Sequence, residues 1–290
     1  MTSVLPEQNA AGLDAALVNQ TVPAGSMRYY ALLYAPREKR NFLVALHLLE
    51  DELATTGRSI HHEVAHTRLK WWHDELERLI QGKPAHPATR ALHAARPILG
   101  TEFSKLKGLV DAAAIDLARV TFADDGELTG YFDRSGGAVA ELAARWLLAP
   151  GAASPSTLLA VTRLGALLRR VDALRNLRTN ALAGRIQLSL ATLDALGINA
   201  SDVSKIPWPP GLLALLQSTR TALLADIKET VTAIDRSDRP ALRPLLVSAG
   251  LHARLVERLD KQVTANNPAW PELGPLDKLV TAWRAARSAR

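Results

Sequence analysis

Residues 36–54 read Pro-Arg-Glu-Lys-Arg-Asn-Phe-Leu-Val-Ala-Leu-His-Leu-Leu-Glu-Asp-Glu-Leu-Ala. Pro36 suits the first position of a helix and Glu38 its first turn, where a negative charge meets the positive end of the helix dipole. Phe42, Leu46, Leu49 and Leu53 then recur at helical spacing, so they form one stripe that must be buried. Working outward, the pattern predicts a second helix over His61–Ile80, stopped by Gly82-Lys83-Pro84. Further breaks fall at 123–126, 149–155, 197–211, 236–240 and 266–275, where glycine, proline and short polar residues gather. The segments between them keep helical periodicity over roughly 20 to 30 residues, enough to cross a domain. Alternating β-branched runs are scarce. The expectation is therefore an all-α chain with one domain over 26–290, preceded by a poorly defined segment, 1–25.

The chain has 290 residues and no cysteine, which excludes a disulfide framework, a thiolate nucleophile and cysteine-ligated zinc. Met1–Ser26 has neither a basic start nor an apolar run, so no signal or transit segment is expected. The longest uncharged stretches, 146–162 and 206–219, are interrupted by Pro150, Gly151 and Pro155, and by Pro207, Pro209 and Pro210. Neither supplies the roughly 20 apolar residues of a spanning helix. The net charge of +6 is spread among interspersed acids, which argues against a nucleic-acid stripe. The tail departs from this: Arg284, Arg287 and Arg290 recur beside Trp283. It reads as a solvated helix end, with contact to an anionic membrane or a partner as the alternative.

His62-Glu63-Val64-Ala65-His66 is a literal HExxH, which on a helix would aim two imidazoles at zinc with the glutamate as general base. A third ligand is lacking. His73 lies about 10 Å further along the helix at about 1.5 Å per residue, too far to share one ion. Leu69 and Trp72 also stand where the longer peptidase motif needs glycine and histidine. The zinc reading, with His62 and His66 as its ligands, is therefore a minor alternative to chance occurrence.

A longer series carries more weight: Tyr29-Tyr30, Pro36-Arg37-Glu38-Lys39-Arg40, Ala45-Leu46, Arg68-Leu69-Lys70-Trp71-Trp72 with Asp74, and Gly82-Lys83-Pro84-Ala85-His86-Pro87. Tyr131, Arg134, Gly137 and Val139 follow, then Leu174-Arg175 and Gly184-Arg185. In this order and spacing the chain resembles the squalene/phytoene synthase family. The resemblance implies a single isoprenoid-synthase bundle around a deep apolar cavity. It also implies head-to-head condensation of allylic diphosphates by two facing Asp-rich helices that hold magnesium. Hard magnesium wants oxygen ligands, and a departing diphosphate wants its charge neutralised.

This sequence departs from that pattern at both motifs. The first falls on Ala54, Thr55, Thr56, Gly57 and Arg58, the second on Asn176, Thr179 and Asn180, the two asparagines one helical turn apart. None of these positions carries a negative charge and one carries a cation. Asp133 replaces a further phenolic position. Glu50 and Asp172 each lie one turn before these positions and could face each other across the cavity as displaced ligands. The competing reading is an internal ion-pair network with Arg58, Arg169 and Arg175. Tyr30, Arg37, Arg40, Tyr131, Arg134 and Arg175 are the other candidates to line the cavity or touch a ligand.

The first functional expectation is a non-catalytic family member, without a cofactor, resembling the branch of complex I assembly factors; Glu52-Leu53-Ala54 looks like that branch. It implies a protein partner at the membrane surface, such as respiratory complex I subunits, an isoprenoid or lipid ligand, and a cytoplasmic location peripheral to the inner membrane. The alternative is an active prenyl transferase, which would need magnesium.

Overall fold

The computed structural model describes residues 13–151, 153–265 and 272–289, with backbone alone for 260–265. Among the described residues the chain is helical, and its only β pairing is an isolated parallel bridge between Phe122 and Ser189. In chain order the helices are α1 (Ala15–Thr21), α2 (Met27–Leu32), α3 (Arg37–Gly57), α4 (His62–Gln81), α5 (Pro87–His93), α6 (Arg96–Leu99), α7 (Lys107–Ala118) and α8 (Asp125–Phe132). They continue as α9 (Ala138–Leu147), α10 (Pro155–Arg175), α11 (Leu177–Leu182), α12 (Leu190–Ala195), α13 (Pro210–Ala233), α14 (Arg243–Ala265) and α15 (Pro275–Ser288). A π-turn, Asp133–Gly137, joins α8 to α9.

The two helices expected first are present. Pro36 is the N-cap of α3, and Phe42, Leu46, Leu49 and Leu53 are all buried. Leu43, Val44, Ala45 and Leu48 are buried as well, so the middle of α3 is enclosed on every side. Helix α4 ends at Gly82, whose φ of 82° places it in the left-handed region. Lys83 donates its amide to the Arg78 carbonyl at 2.7 Å and Gly82 donates to Leu79 at 3.0 Å, the paired bonds that close a helix over a left-handed glycine.

The stretch between the breaks at 82–84 and 123–126 is divided further, into α5, α6, a 3₁₀ turn over Gly100–Leu106 and α7. Pro87 is the first residue of α5 and Pro97 the second of α6, positions where a missing amide costs no helical bond. The N-terminal segment also holds more structure than expected, since α1 places Val18 and Thr21 in the interior and Val22 follows them there. Residues 1–12, and 266–271 within one of the expected breaks, lie outside the described residues.

The long helix α10 packs against the π-turn, α9, α13 and α14, while α3 packs against α5, α7 and α9. At one crossing the backbones nearly touch. A Cβ on Gly136 would meet the Gly165 carbonyl oxygen at 2.3 Å, and a Cβ on Gly165 would meet Ala140 Cβ at 2.4 Å. Only glycine permits this approach. One consequence concerns Arg169, one turn beyond Gly165, whose Cβ would lie 2.7 Å from a Gly136 Cβ.

Candidate functional site

Helices α2, α3, α9, α10 and α14 and the residues leading into α15 surround a cavity of about 370 Å³, within the roughly 300–1,000 Å³ usual for small-molecule sites. Leu32, Leu43, Leu46, Val139, Leu168 and Leu255 give it apolar walls. Arg28, His47, Glu50, Arg169, Asp172 and His252 also line it, and they are coupled to one another. His47 Nδ1 lies 2.8 Å from Glu50 Oε2, and Arg28 bridges to Glu50 at 3.8 Å and to Asp51 at 2.6 Å. His252 Nε2 lies 3.7 Å from Asp172 Oδ1, an ion pair rather than a hydrogen bond.

These contacts fix the charges. Burial works to raise the Glu50 carboxyl, but His47, Arg28 and Arg169 outweigh it and hold the group below the usual carboxylate range. The same contest at Asp172, with His252, Arg169 and Arg175 opposing burial, also ends below that range. Burial would lower the His252 imidazole, yet Asp172 and the Ser248 carbonyl hold it above the ordinary histidine value. Both carboxylates therefore already have cationic partners.

A smaller pocket of about 40 Å³ shares Arg169 and Asp172 with the cavity and is otherwise lined by Ala54, Arg58, Asp116, Ala173, Asn176, Asn180, Arg185 and Gln187. Arg185 comes from a helix stop. Gly184, with φ of 77°, ends α11, and the Arg185 amide returns to the Asn180 carbonyl at 2.8 Å. A chain of bonds crosses the floor: Asn180 donates to Gln187 at 2.9 Å, Gln187 to the Tyr131 hydroxyl at 3.1 Å, and that hydroxyl to Asp116 at 3.0 Å. Burial pushes the Asp116 carboxyl above its ordinary value despite the charge of Arg169 and the Tyr131 bond. Arg185 is pushed down by burial and by its neighbours Arg58 and Arg119, against the pull of Asp116.

The structure thus brings together Ala54, Arg58, Asn176 and Asn180 from the two motif positions, while Thr55 and Thr179 are exposed. Asn176 and Asn180 do not share one helix as expected, because α10 ends at Arg175 and Asn176 is the cap between α10 and α11. Glu50, Asp172 and Arg175 line the cavity. Of the three arginines expected to neutralise these acids, Arg58 faces the small pocket and Arg175 pairs with Glu272 at 3.3 Å, while Arg28, from α2, is the arginine that reaches Glu50. Four candidates lie elsewhere. Arg40 donates to the Ala35 and Leu33 carbonyls and closes the end of α2. Arg37 and Arg134 are exposed, and the Tyr30 hydroxyl reaches the Pro275 carbonyl at 3.5 Å, outside the lining. Tyr131 is fully buried below the small pocket. His62, Glu63 and His66 are exposed on α4, and among the described residues no group of three His, Asp or Glu is placed to hold a metal ion. Arg28, His47, Asp116, Arg185, Gln187 and His252 were missed. Arg28 and His252 have no sequence signal, whereas Arg185 stood in a quoted motif.

Residues 22–273 match the sequence model of squalene/phytoene synthases. The chain belongs to the squalene/phytoene synthase family. It is 23% identical over 266 residues to the presqualene diphosphate synthase of Rhodopseudomonas palustris, covering 90% of this chain and 93% of that protein. It is 28% identical over 191 residues to the phytoene synthase of Mycobacterium tuberculosis, covering 65% of this chain and 62% of that one. In fold it is similar to a dehydrosqualene synthase crystal structure, with a TM-score of 0.80 at 15% identity over 94% of this chain and 95% of that one. A squalene synthase from Alicyclobacillus acidocaldarius superposes with a TM-score of 0.71 at 18% identity, over 90% and 100%.

For a squalene/phytoene synthase, the question is whether this pocket suits magnesium. It does not. Where the family places acids, this chain offers an alanine, two amides and Arg58. Of the two carboxylates present, Asp116 accepts the Tyr131 hydroxyl and lies in the field of Arg169, and Asp172 is paired with His252. Magnesium dehydrates reluctantly and needs anionic oxygen, which three lining guanidiniums oppose.

Proposed function

We propose that this protein is a non-catalytic member of the squalene/phytoene synthase family that keeps the cavity to bind an isoprenoid or other lipid. We place it as a binding or assembly factor for membrane respiratory proteins, in the cytoplasm at the inner-membrane surface. The observation that carries the non-catalytic reading is the meeting of Ala54 and Arg58 with Asn176 and Asn180 in one pocket. Their meeting in one pocket supports the register in which the acids were counted as missing. One of these positions, Arg58, is a cation, and Arg169 and Arg185 line the same pocket.

The ligand class follows from the two ends of the site. The apolar walls suit a hydrocarbon chain, and Arg58, Arg169 and Arg185 suit an anionic or strongly polar head held without a metal. Complex I subunits enter as partners through the family likeness alone. Mass spectrometry of lipid extracted from the purified protein tests the binding reading. The expected result is a prenyl or acyl lipid in near-stoichiometric amount. A protein free of lipid that releases pyrophosphate from allylic diphosphates in magnesium would overturn it.

The second reading is a working prenyl transferase. It draws on the synthase names of its relatives and on Glu50 and Asp172, which line one cavity. It requires pyrophosphate release that disappears in Glu50→Gln and Asp172→Asn.

A further inference from the structure

Helix α15 is built inside out. It buries Ala282 and Ala286, with Ala289 just beyond its end, and leaves its large apolar residues in solvent: Leu276 is 77% exposed, Leu279 48%, Val280 44% and Trp283 53%. Positions 276, 279, 280 and 283 share one helical face, so these side chains form a continuous stripe and not scattered contacts. Arg284 and Arg287 are exposed beside it, with the Arg287 guanidinium 5.4 Å from the Trp283 ring centre. The helix's one acid, Asp277, is tied to Arg254 at 3.0 Å and Arg258 at 2.8 Å on α14. No free carboxylate on α15 offsets the arginines.

The opposite side of α15 meets the cavity. Lys278 belongs to its lining, as does Leu273 just before the helix, and Lys278 Nζ donates to the Gly25 carbonyl at 2.9 Å. The helix therefore touches the cavity through Lys278 on one side and presents leucine, valine, tryptophan and arginine outward on the other. We infer that α15 lies flat on an anionic lipid bilayer, its stripe among the acyl-chain ends of the headgroups. Leucine and tryptophan supply interfacial burial, and the arginines supply attraction to acidic headgroups. No helix among the described residues is long and apolar enough to cross a membrane, so the contact is at the surface. Docking this way deepens the membrane-surface reading above and requires no ligand in the cavity.

Sedimentation of the full chain with vesicles tests this directly. The protein should pellet with vesicles of phosphatidylcholine and phosphatidylglycerol in equal parts, remain in solution with phosphatidylcholine alone, and be released by salt. Arg284→Gln with Arg287→Gln should weaken the binding about thirtyfold, and Leu279→Ser with Trp283→Ser should abolish it. Circular dichroism should show unchanged helicity, because all four side chains are exposed. Equal binding by the variants, or none by the parent chain, would overturn the inference. So would a dimer in the ultracentrifuge that the Leu279→Ser, Trp283→Ser chain fails to form, since a second copy would then cover the stripe.

Discussion

Single residues show where charge has been settled for stability and where it has been left for a ligand. Glu75 is fully buried on α4, accepts the Ala85 and His86 amides at 2.8 Å each, and bonds Thr89 and Arg78. It holds the turn that carries Gly82-Lys83-Pro84-Ala85-His86-Pro87. Glu75→Ala should therefore cost about 3 kcal/mol, because several buried donors lose their acceptor; the denaturant midpoint reads it. The His252–Asp172 pair has a pH signature. Raised His252 contributes stability that is full below its unfolded value near 6.5 and is lost as pH rises through its folded value. Lowered Asp172 contributes stability present above its unfolded value and lost as pH falls through its folded one. Proton NMR should find the His252 imidazole titrating above the ordinary range, and Asp172→Asn should return it downward. At the small pocket, Arg58→Ala with Arg185→Ala should weaken binding of farnesyl diphosphate without magnesium by about tenfold or more. Arg58 was legible because it replaced an acid at a fixed spacing. Arg28 and His252 were not, since only the fold brings α2 and α14 beside α3 and α10.

At the scale of elements, the sequence announces boundaries wherever the chemistry is local. Gly82 ends α4 and Gly184 ends α11 through the same left-handed geometry, and proline starts α5, α10, α13 and α15 and stands second in α6. The π-turn over 133–137 was hidden, because the residues on either side read as one continuous helix. Its reason is tertiary: Gly136 must sit against Gly165 where α10 crosses. Gly165→Ala should force the crossing open, lowering stability by roughly 2 kcal/mol through overpacking. It should also loosen ligand binding by shifting Arg169, and a chemical melt with a parallel titration separates the two effects.

At the scale of the molecule, the helical class is legible from leucine and alanine periodicity, but the cavity is not. Leu43 and Leu46 line it, while Leu49 and Leu53 are packed in the solid core of the same helix. Nothing in residue type distinguishes a wall from a filling, and only the resemblance to the family pointed to a hollow. The loss of acids was readable, because both motif positions could be counted from fixed neighbours. The structure adds that these positions converge on one pocket and that arginines line it. Calorimetric titration with farnesyl diphosphate, in magnesium and in its absence, tests that arrangement most directly. The account predicts the same affinity in both and no release of pyrophosphate. Binding that appears only with magnesium, accompanied by pyrophosphate, would contradict it.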